Sequence, residues 1–228
     1  MRKYKIADLI VEMDVKGRIL RQAEPYAVET DVPADITISF DPAEILKKNP
    51  NYETEDLVEY MVSGTIFARH ILNWNGYYLH SSAVVLDGKA YFFTAPSGTG
   101  KSTHTEKWIR LFGAHYLNDD KPVIRWVDGV WMAYGTPWSG KNDLSTNEGV
   151  PVGGIACLQR GEQNTIAPMP IERALPYFLG QSLYYLTEAR MEKKLSFLDR
   201  MLREVPVWDL HCLPDDAAAY LSRDVMTK

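Results

Sequence analysis

The sequence predicts an α/β fold, a mixed sheet with flanking helices, on three observations. The middle of the chain alternates short β-rich runs with turn dipeptides, chiefly Asp87-Gly88 and Asp128-Gly129. A strand-like run, Lys89–Thr94, leads through a glycine-containing turn into an amphipathic run, Lys101–Phe112. In the last quarter, Leu183, Leu186, Met191, Leu195, Leu198, Leu202 and Val205 recur at helical spacing and give one apolar face.

Taken in order, the mostly apolar Tyr4–Met13 reads as strand, Asp14-Val-Lys-Gly17 as a turn, and the alternating Ile36–Phe40 as a second strand. Asp41–Asn51, rich in proline and acid, reads as a connector. Thr54 before Glu55-Asp56 caps a helix running to about Leu72 despite Gly64, and Asn73-Trp-Asn-Gly76 stops it. Tyr77–Leu86 and Lys89–Thr94 form a hairpin about Asp87-Gly88. The helix 101–112 ends at Gly113. Strands follow at His115–Asn118, Val123–Val127 and Val130–Tyr134, then a polar loop, Gly135–Gly149, and a strand at Gly154–Gln159. Val207–Leu210 and Pro214–Val225 read as a short strand and a closing helix.

Of 228 residues, 46% are hydrophobic and 24% charged, enough apolar material for a sizeable core. Net charge is −5, and Glu24–Glu59 carries ten carboxylates against Lys47 and Lys48, a surface that repels a phosphate backbone and argues against nucleic-acid binding. There is no apolar run of membrane-spanning length and no secretory leader pattern at Met1–Asp8. Cys157 and Cys212 are too few for a four-cysteine zinc site, and as reduced thiols they fit a cytoplasmic protein.

The most specific signal is Ala95-Pro-Ser-Gly-Thr-Gly-Lys-Ser-Thr103. A strand entering a glycine turn that opens a helix aims backbone N–H groups and the positive end of the helix dipole at an anion. Ser97, Gly98, Thr99, Gly100, Lys101, Ser102 and Thr103 are therefore the expected nucleotide-binding residues. Lys101 reaches the terminal phosphates of ATP, and Ser102 is a candidate ligand for Mg²⁺. The first glycine of the usual phosphate-loop pattern is replaced by Ala95, which fits if its φ stays negative. Transporter-ATPase and GTPase signatures are absent, and the acidic partner is Asn118-Asp119-Asp120-Lys121, behind a very short strand.

Leu79-His80-Ser81-Ser82-Ala83-Val84-Val85, the Ser-Gly-Thr-Gly-Lys-Ser loop and the paired aspartates together resemble the HPr kinase/phosphorylase group, whose nucleotide-binding core is shared with phosphoenolpyruvate carboxykinases. The resemblance covers residues 77–160 and is looser at Val205–Pro214. The group's Glu-Ile-Arg-Gly-Leu-Gly signature is missing, and Tyr134-Gly-Thr-Pro-Trp-Ser-Gly-Lys-Asn142 stands in its approximate place, which points to an acceptor other than HPr. The resemblance implies a P-loop core over 53–228 with a β-rich extension, 1–52, packed on it, or one compact domain overall. It implies that Asp119 polarises an acceptor hydroxyl, that Asp120 holds Mg²⁺ and that His80 is functional; it also carries a homo-oligomer as an expectation. From the chemistry of phosphoryl transfer, which needs cations aimed at the equatorial oxygens, Lys141 in the polar loop is the candidate, with Arg125 and Lys121 behind it. The expected activity is transfer of a γ-phosphoryl group to a hydroxyl on a small molecule, peptide or protein. A nucleotide-binding regulator without turnover and a carboxykinase acting on an oxo-acid are the alternatives.

Overall fold

The computed structural model describes residues 1–96, 98–181 and 186–228. Leu183 of the predicted apolar face and Ser97 of the glycine turn fall outside them.

The N-terminal segment forms a small sheet. Strands β1 (Arg2–Ile6) and β2 (Leu9–Met13) pair antiparallel about Ala7-Asp8, whose φ values of 53° and 58° make the left-handed turn that matches strand twist. Helix α1 (Gly17–Ala23) follows, then β3 (Ile36–Ile38), parallel to β2. Helix α2 is Pro42–Lys48, and α3 is Glu55–His70. Tyr4, Val11, Ile19 and Ile36 share one core with Phe67, Ile71, Tyr78 and Trp138.

The sequence reading had a turn where α1 begins. The helix starts there because its capping groups come from afar: Glu59 accepts from Lys16 N at 2.6 Å and Asp56 from Arg18 N at 2.7 Å, both carboxylates belonging to α3. Helix α2, read as connector, had a local signal after all. Asp41 accepts from Ala43 N (3.0 Å) and Glu44 N (3.2 Å), with Pro42 in the first turn. Thr54 caps α3 through Leu57 N at 3.2 Å. Gly64 is tolerated within α3 because an added Cβ would stand 3.0 Å from the Trp138 ring and 3.1 Å from Tyr78 Oη.

Among the described residues, the main sheet has nine strands. They are β4 (Gly76–Tyr78), β5 (Ser82–Leu86), β6 (Lys89–Thr94), β7 (His115–Asn118), β8 (Val123–Val127), β9 (Val130–Tyr134), β10 (Gly149–Arg160), β11 (Thr165–Pro168) and β12 (Val207–Cys212). The run 77–86, read as one strand, divides at Leu79–Ser81: β4 pairs with β8, while β5 pairs with β6 and β7. Strand β10 is longer than expected. Its first residues pair antiparallel with β9, and past a register shift between Val152 and Gly154 it runs parallel to β6 and β12.

Helices cover both faces of the parallel part. These are α4 (Lys101–Phe112), α5 (Ile171–Gly180), α6 (Glu188–Glu204) and α7 (Asp216–Met226). Side chains alternate along the strands, so Val85, Ala90, Phe92, Ile155 and Cys157 face the core with Phe178, Leu198 and Met201. Val84, Tyr91, Phe93, Ala156 and Leu158 face the opposite core with Trp108, Ala219 and Met226. Burial on two faces explains the unbroken apolar runs of β6 and β10. Helix α5 was not predicted; Pro176 inside it removes a backbone donor and disguises the pattern. Among the described residues, no helix is long and apolar enough to cross a membrane.

His104 and Trp108, one turn apart on α4, both meet Ser222 of α7. Ser222 Oγ accepts from Trp108 Nε1 at 2.9 Å and donates to Ala219 O at 3.0 Å, so His104 Nε2, 2.9 Å away, must carry the imidazole proton. Burial, and secondarily the Lys107 charge, pushes the His104 pKa down to about 4 from 6.5. Stability from keeping it neutral is fully present above pH 6.5 and is lost as pH falls towards 4, by about 3 kcal/mol. Urea unfolding at pH 7 and at the acid end of that window should show His104→Gln losing less stability than the wild type; equal losses would rule the assignment out.

Candidate active site

Strand β6 lies between β5 and β10 and delivers the chain into the glycine turn. Ala95 is fully buried and is not among the residues of positive φ, so alanine fits where the usual pattern has glycine. Gly98 (φ 77°) and Gly100 (φ 115°) are left-handed, with nothing within 4 Å of an added Cβ at either. Backbone conformation, not lack of space, requires them. Gly100 opens α4 without a side-chain cap, so the first N–H groups of the helix are available to an anion. Lys101 Nζ donates to Ala95 O at 3.0 Å, and Arg160, at the end of β10, donates to Gly98 O at 2.8 Å. Burial lowers the Lys101 pKa, against the raising effect of Asp120 and Asp119.

The paired aspartates sit at the end of β7 and face different ways. Asp119 Oδ1 accepts from Ser82 Oγ at 2.6 Å, and its two oxygens lie 3.2 and 3.3 Å from Ser102 Oγ. Burial raises its pKa, partly offset by those two hydroxyl hydrogen bonds. Asp120 Oδ2 accepts from Tyr60 Oη at 3.1 Å, with Lys121 Nζ 3.8 Å away, and Asp120 Oδ1 lies 3.4 Å from His80 Nε2. The His80 contact is not an ion pair at neutral pH, because burial first and Lys101 second lower its pKa and outweigh Asp120. Burial raises the Tyr60 pKa above its ordinary value, so the phenol keeps its proton and acts as donor.

Asn118 fixes this pair. Its Oδ1 accepts from Asp120 N at 2.8 Å and Lys121 N at 2.7 Å, and its Nδ2 donates to Thr136 O at 2.8 Å. The loop after β9 thereby closes over the aspartates. Gly140 N donates to Tyr60 Oη at 3.0 Å, and Arg18 of α1 donates to Gly140 O while its guanidinium lies 4.1 Å from the Tyr60 ring centre.

The structure therefore brings together Gly98, Thr99, Gly100, Lys101, Ser102 and Thr103 at the start of α4, with Asp119 against Ser102, and Asp120 against His80. Lys141 is not part of this set: it is exposed and makes no hydrogen bond or ion pair among the described residues. Arg125 is committed elsewhere, to Trp74 O at 3.0 Å and Ala7 O at 2.5 Å. The cations beside the carboxylates are Lys101 and Lys121, and the Arg18 guanidinium lies against the Tyr60 ring. Sequence reasoning missed Ser82, Tyr60, Arg18 and Arg160. Ser82 lay within the quoted histidine segment, but nothing local marks Tyr60 or Arg18, which arrive through tertiary packing.

No protein-family profile and no curated protein matches the chain. Among solved structures it is similar to the HPr(Ser) kinase/phosphatase from Coxiella burnetii, with a TM-score of 0.38 and 14% identity, over 64% of this chain and 94% of that one. This is a distant likeness of fold, and it bears on the role of no residue.

Because Asn118 is fully buried, Asn118→Ala leaves two backbone N–H groups and the Thr136 carbonyl without their partner. The expected loss is about 3 kcal/mol in urea unfolding, against less than about 0.5 kcal/mol for Lys141→Ala. A loss at Asn118 no larger than that at Lys141 would contradict its anchoring role.

Proposed function

We propose that the chain is a Mg²⁺-dependent phosphotransferase that binds ATP at residues 95–103 and moves the γ-phosphoryl group to a hydroxyl of a small molecule, peptide or protein. The observation that supports this most is the convergence of two differently placed carboxylates on the start of α4. One lies 3.2 Å from the Ser102 hydroxyl, and the other 3.4 Å from His80. The ATP supply and the two free thiols, Cys157 and Cys212, suit a cytoplasmic setting.

The N–H groups at the start of α4, with Lys101, hold the β- and γ-phosphates. Ser102 Oγ and Asp119 fit Mg²⁺, which takes one or two protein oxygens and fills its shell with phosphate oxygens and water. When bound, the ion supplies charge neutralisation at the transferring phosphate. Ser82, donating to Asp119 at 2.6 Å, keeps the carboxylate turned toward Ser102.

Asp120 is the base in this reading. It takes the proton of the acceptor hydroxyl as the new oxygen–phosphorus bond forms and the bond to the β-phosphate oxygen breaks, leaving ADP. Tyr60 holds Asp120 through one oxygen, and the other, 3.4 Å from His80 Nε2, is the one that meets the acceptor. The two aspartates thus exchange the roles that family resemblance implies, because Asp119 is spent on Ser102 and Ser82. Lys121 and Lys101 supply the positive charge assigned to Lys141 from sequence.

Lys101→Ala should abolish most Mg²⁺-ATP binding in calorimetry while barely moving the melting temperature; equal affinity in both proteins would remove the loop from the mechanism. Asp120→Asn should bind ATP normally but transfer or hydrolyse it about 10²–10⁴-fold more slowly. Asp119→Asn should instead need far more Mg²⁺ to reach its rate. The opposite pattern in the two variants would restore the original order of roles.

A further inference from the structure

A cavity of about 360 Å³ opens on the side of the phosphate loop away from the aspartates. Thr99 and Gly100 of the loop and Thr103 of α4 form one wall, so the cavity is continuous with the phosphate site. Its other wall is made by the carboxyl ends of two parallel strands, Leu158 and Arg160 of β10 and Cys212 of β12, with Gly161, Leu213 and Pro214 beyond them. In open α/β sheets, the crevice outside the carboxyl ends of parallel strands is where ligands seat.

The order of strands gives this cavity a direction. Across the sheet the sequence of neighbours is β12, β10, β6, β5, β7. The loop leaves β6, the aspartates follow β7 on one side, and the cavity caps β10 and β12 on the other. A triphosphate lying in the loop with its γ end at Asp119 and Asp120 therefore has its other end at Thr103 and the cavity mouth.

The lining suits a flat, weakly polar group. Leu158, Leu213 and Pro214 are apolar, and the carboxylate that also lines the cavity, Asp215, is already engaged with Ala218 N and Asn164 Nδ2, each at 3.0 Å. Two cations stand at the rim: Arg160 on Gly98 O, and Lys107 on Pro214 O at 2.9 Å. A volume of this size falls in the range of small-ligand sites. We propose that the cavity seats the base and ribose of the nucleoside triphosphate, with Leu213 as one face of the slot and Arg160 and Lys107 beside the sugar and α-phosphate. This rests on the proposed phosphate-binding role of residues 95–103.

Calorimetry with Mg²⁺-ATP and Mg²⁺-tripolyphosphate, on the wild type, Leu213→Asp and Lys101→Ala, separates the two assignments. Leu213 is 37% exposed, so a charge there spares the core. The wild type should bind ATP at least about tenfold more tightly than tripolyphosphate, from enclosure of the base. Leu213→Asp should lose most of that advantage and keep its tripolyphosphate affinity, which also reports an intact fold. Equal affinity of the wild type for the two ligands overturns the base seat while leaving the phosphate loop standing. So does unchanged ATP binding by Leu213→Asp, and so does loss of both ligands together in that variant. If the wild type binds neither ligand, or Lys101→Ala binds both as the wild type does, the phosphate-loop assignment falls, and the base seat with it.

Discussion

The Asn118 side chain, fully buried at the end of β7, is the joint from which the rest of the site hangs. Its carbonyl oxygen takes the N–H groups of Asp120 and Lys121, and its amide holds the Thr136 carbonyl. A buried amide satisfied on both ends is rigid, because releasing either end would strand a polar group away from water. The loop it holds carries Trp138, whose indole donates to Ser63 Oγ at 3.1 Å and stacks on Phe67, with ring centres 4.8 Å apart. Both partners belong to α3, which also supplies Tyr60 to Asp120. Through Asp56 and Glu59 the same helix caps α1, and α1 brings in Arg18. One side-chain amide thus links the aspartates to a segment about a hundred residues earlier in the chain.

Burial acts on the site's charges in one direction, toward neutrality. It raises Asp119 and lowers His80, Lys101 and Lys121. Such groups destabilise a fold on their own account, and they cluster where charge must be applied in a low-dielectric setting. The arrangement limits the penalty by pairing. Asp119 takes two hydroxyl donors, and Asp120 takes a phenol with an ammonium nearby. A polyanion entering the loop would favour the charged forms of Lys101 and Lys121, the forms that burial disfavours. On the proposed function, the phosphates therefore offset part of the burial cost that these ammonium groups carry.

The parts of this architecture legible in the sequence are those specified by neighbours in the chain. Helix α4 was read from Lys101 to Phe112 as it stands, since a glycine turn opens it and Gly113, with φ 72°, closes it. The Asp-Gly turns at 87–88 and 128–129 were legible because left-handed backbone has few alternatives. What was not legible depends on distant partners. Helix α1 is capped by carboxylates about forty residues away, and α5 continues through Pro176. The break at Leu79–Ser81, which puts His80 beside Asp120, exists because Leu79 N bonds Pro122 O and Ser81 N bonds Asp120 O. Helix α2 is a different case: its Asp-Pro start was local and was outweighed by composition. In the site, residue types were legible but directions were not. Two adjacent aspartates look equivalent as letters, and only Ser82, Ser102 and Tyr60 distinguish them.

The two ends of the site are built from different materials. The phosphate loop and the cavity beside it come from the central parallel strands and α4, the part of the fold with apolar residues on both faces. The end that carries Asp120 comes from elsewhere. His80 lies in a strand break, Tyr60 on α3, Arg18 on α1, and Gly140 in the loop after β9, where its N–H and carbonyl meet Tyr60 and Arg18. On the proposed function, nucleotide handling is therefore tied to the core, where changes in volume are poorly tolerated. His80 and Gly140 lie on connections, where sequence varies at less expense in stability, whereas Tyr60 is buried in the core that the N-terminal sheet shares with α3. On the proposed function, the choice of acceptor belongs to these outlying pieces. The Asn118 and Trp138 linkage is what lets them change while holding Asp120 at a fixed place.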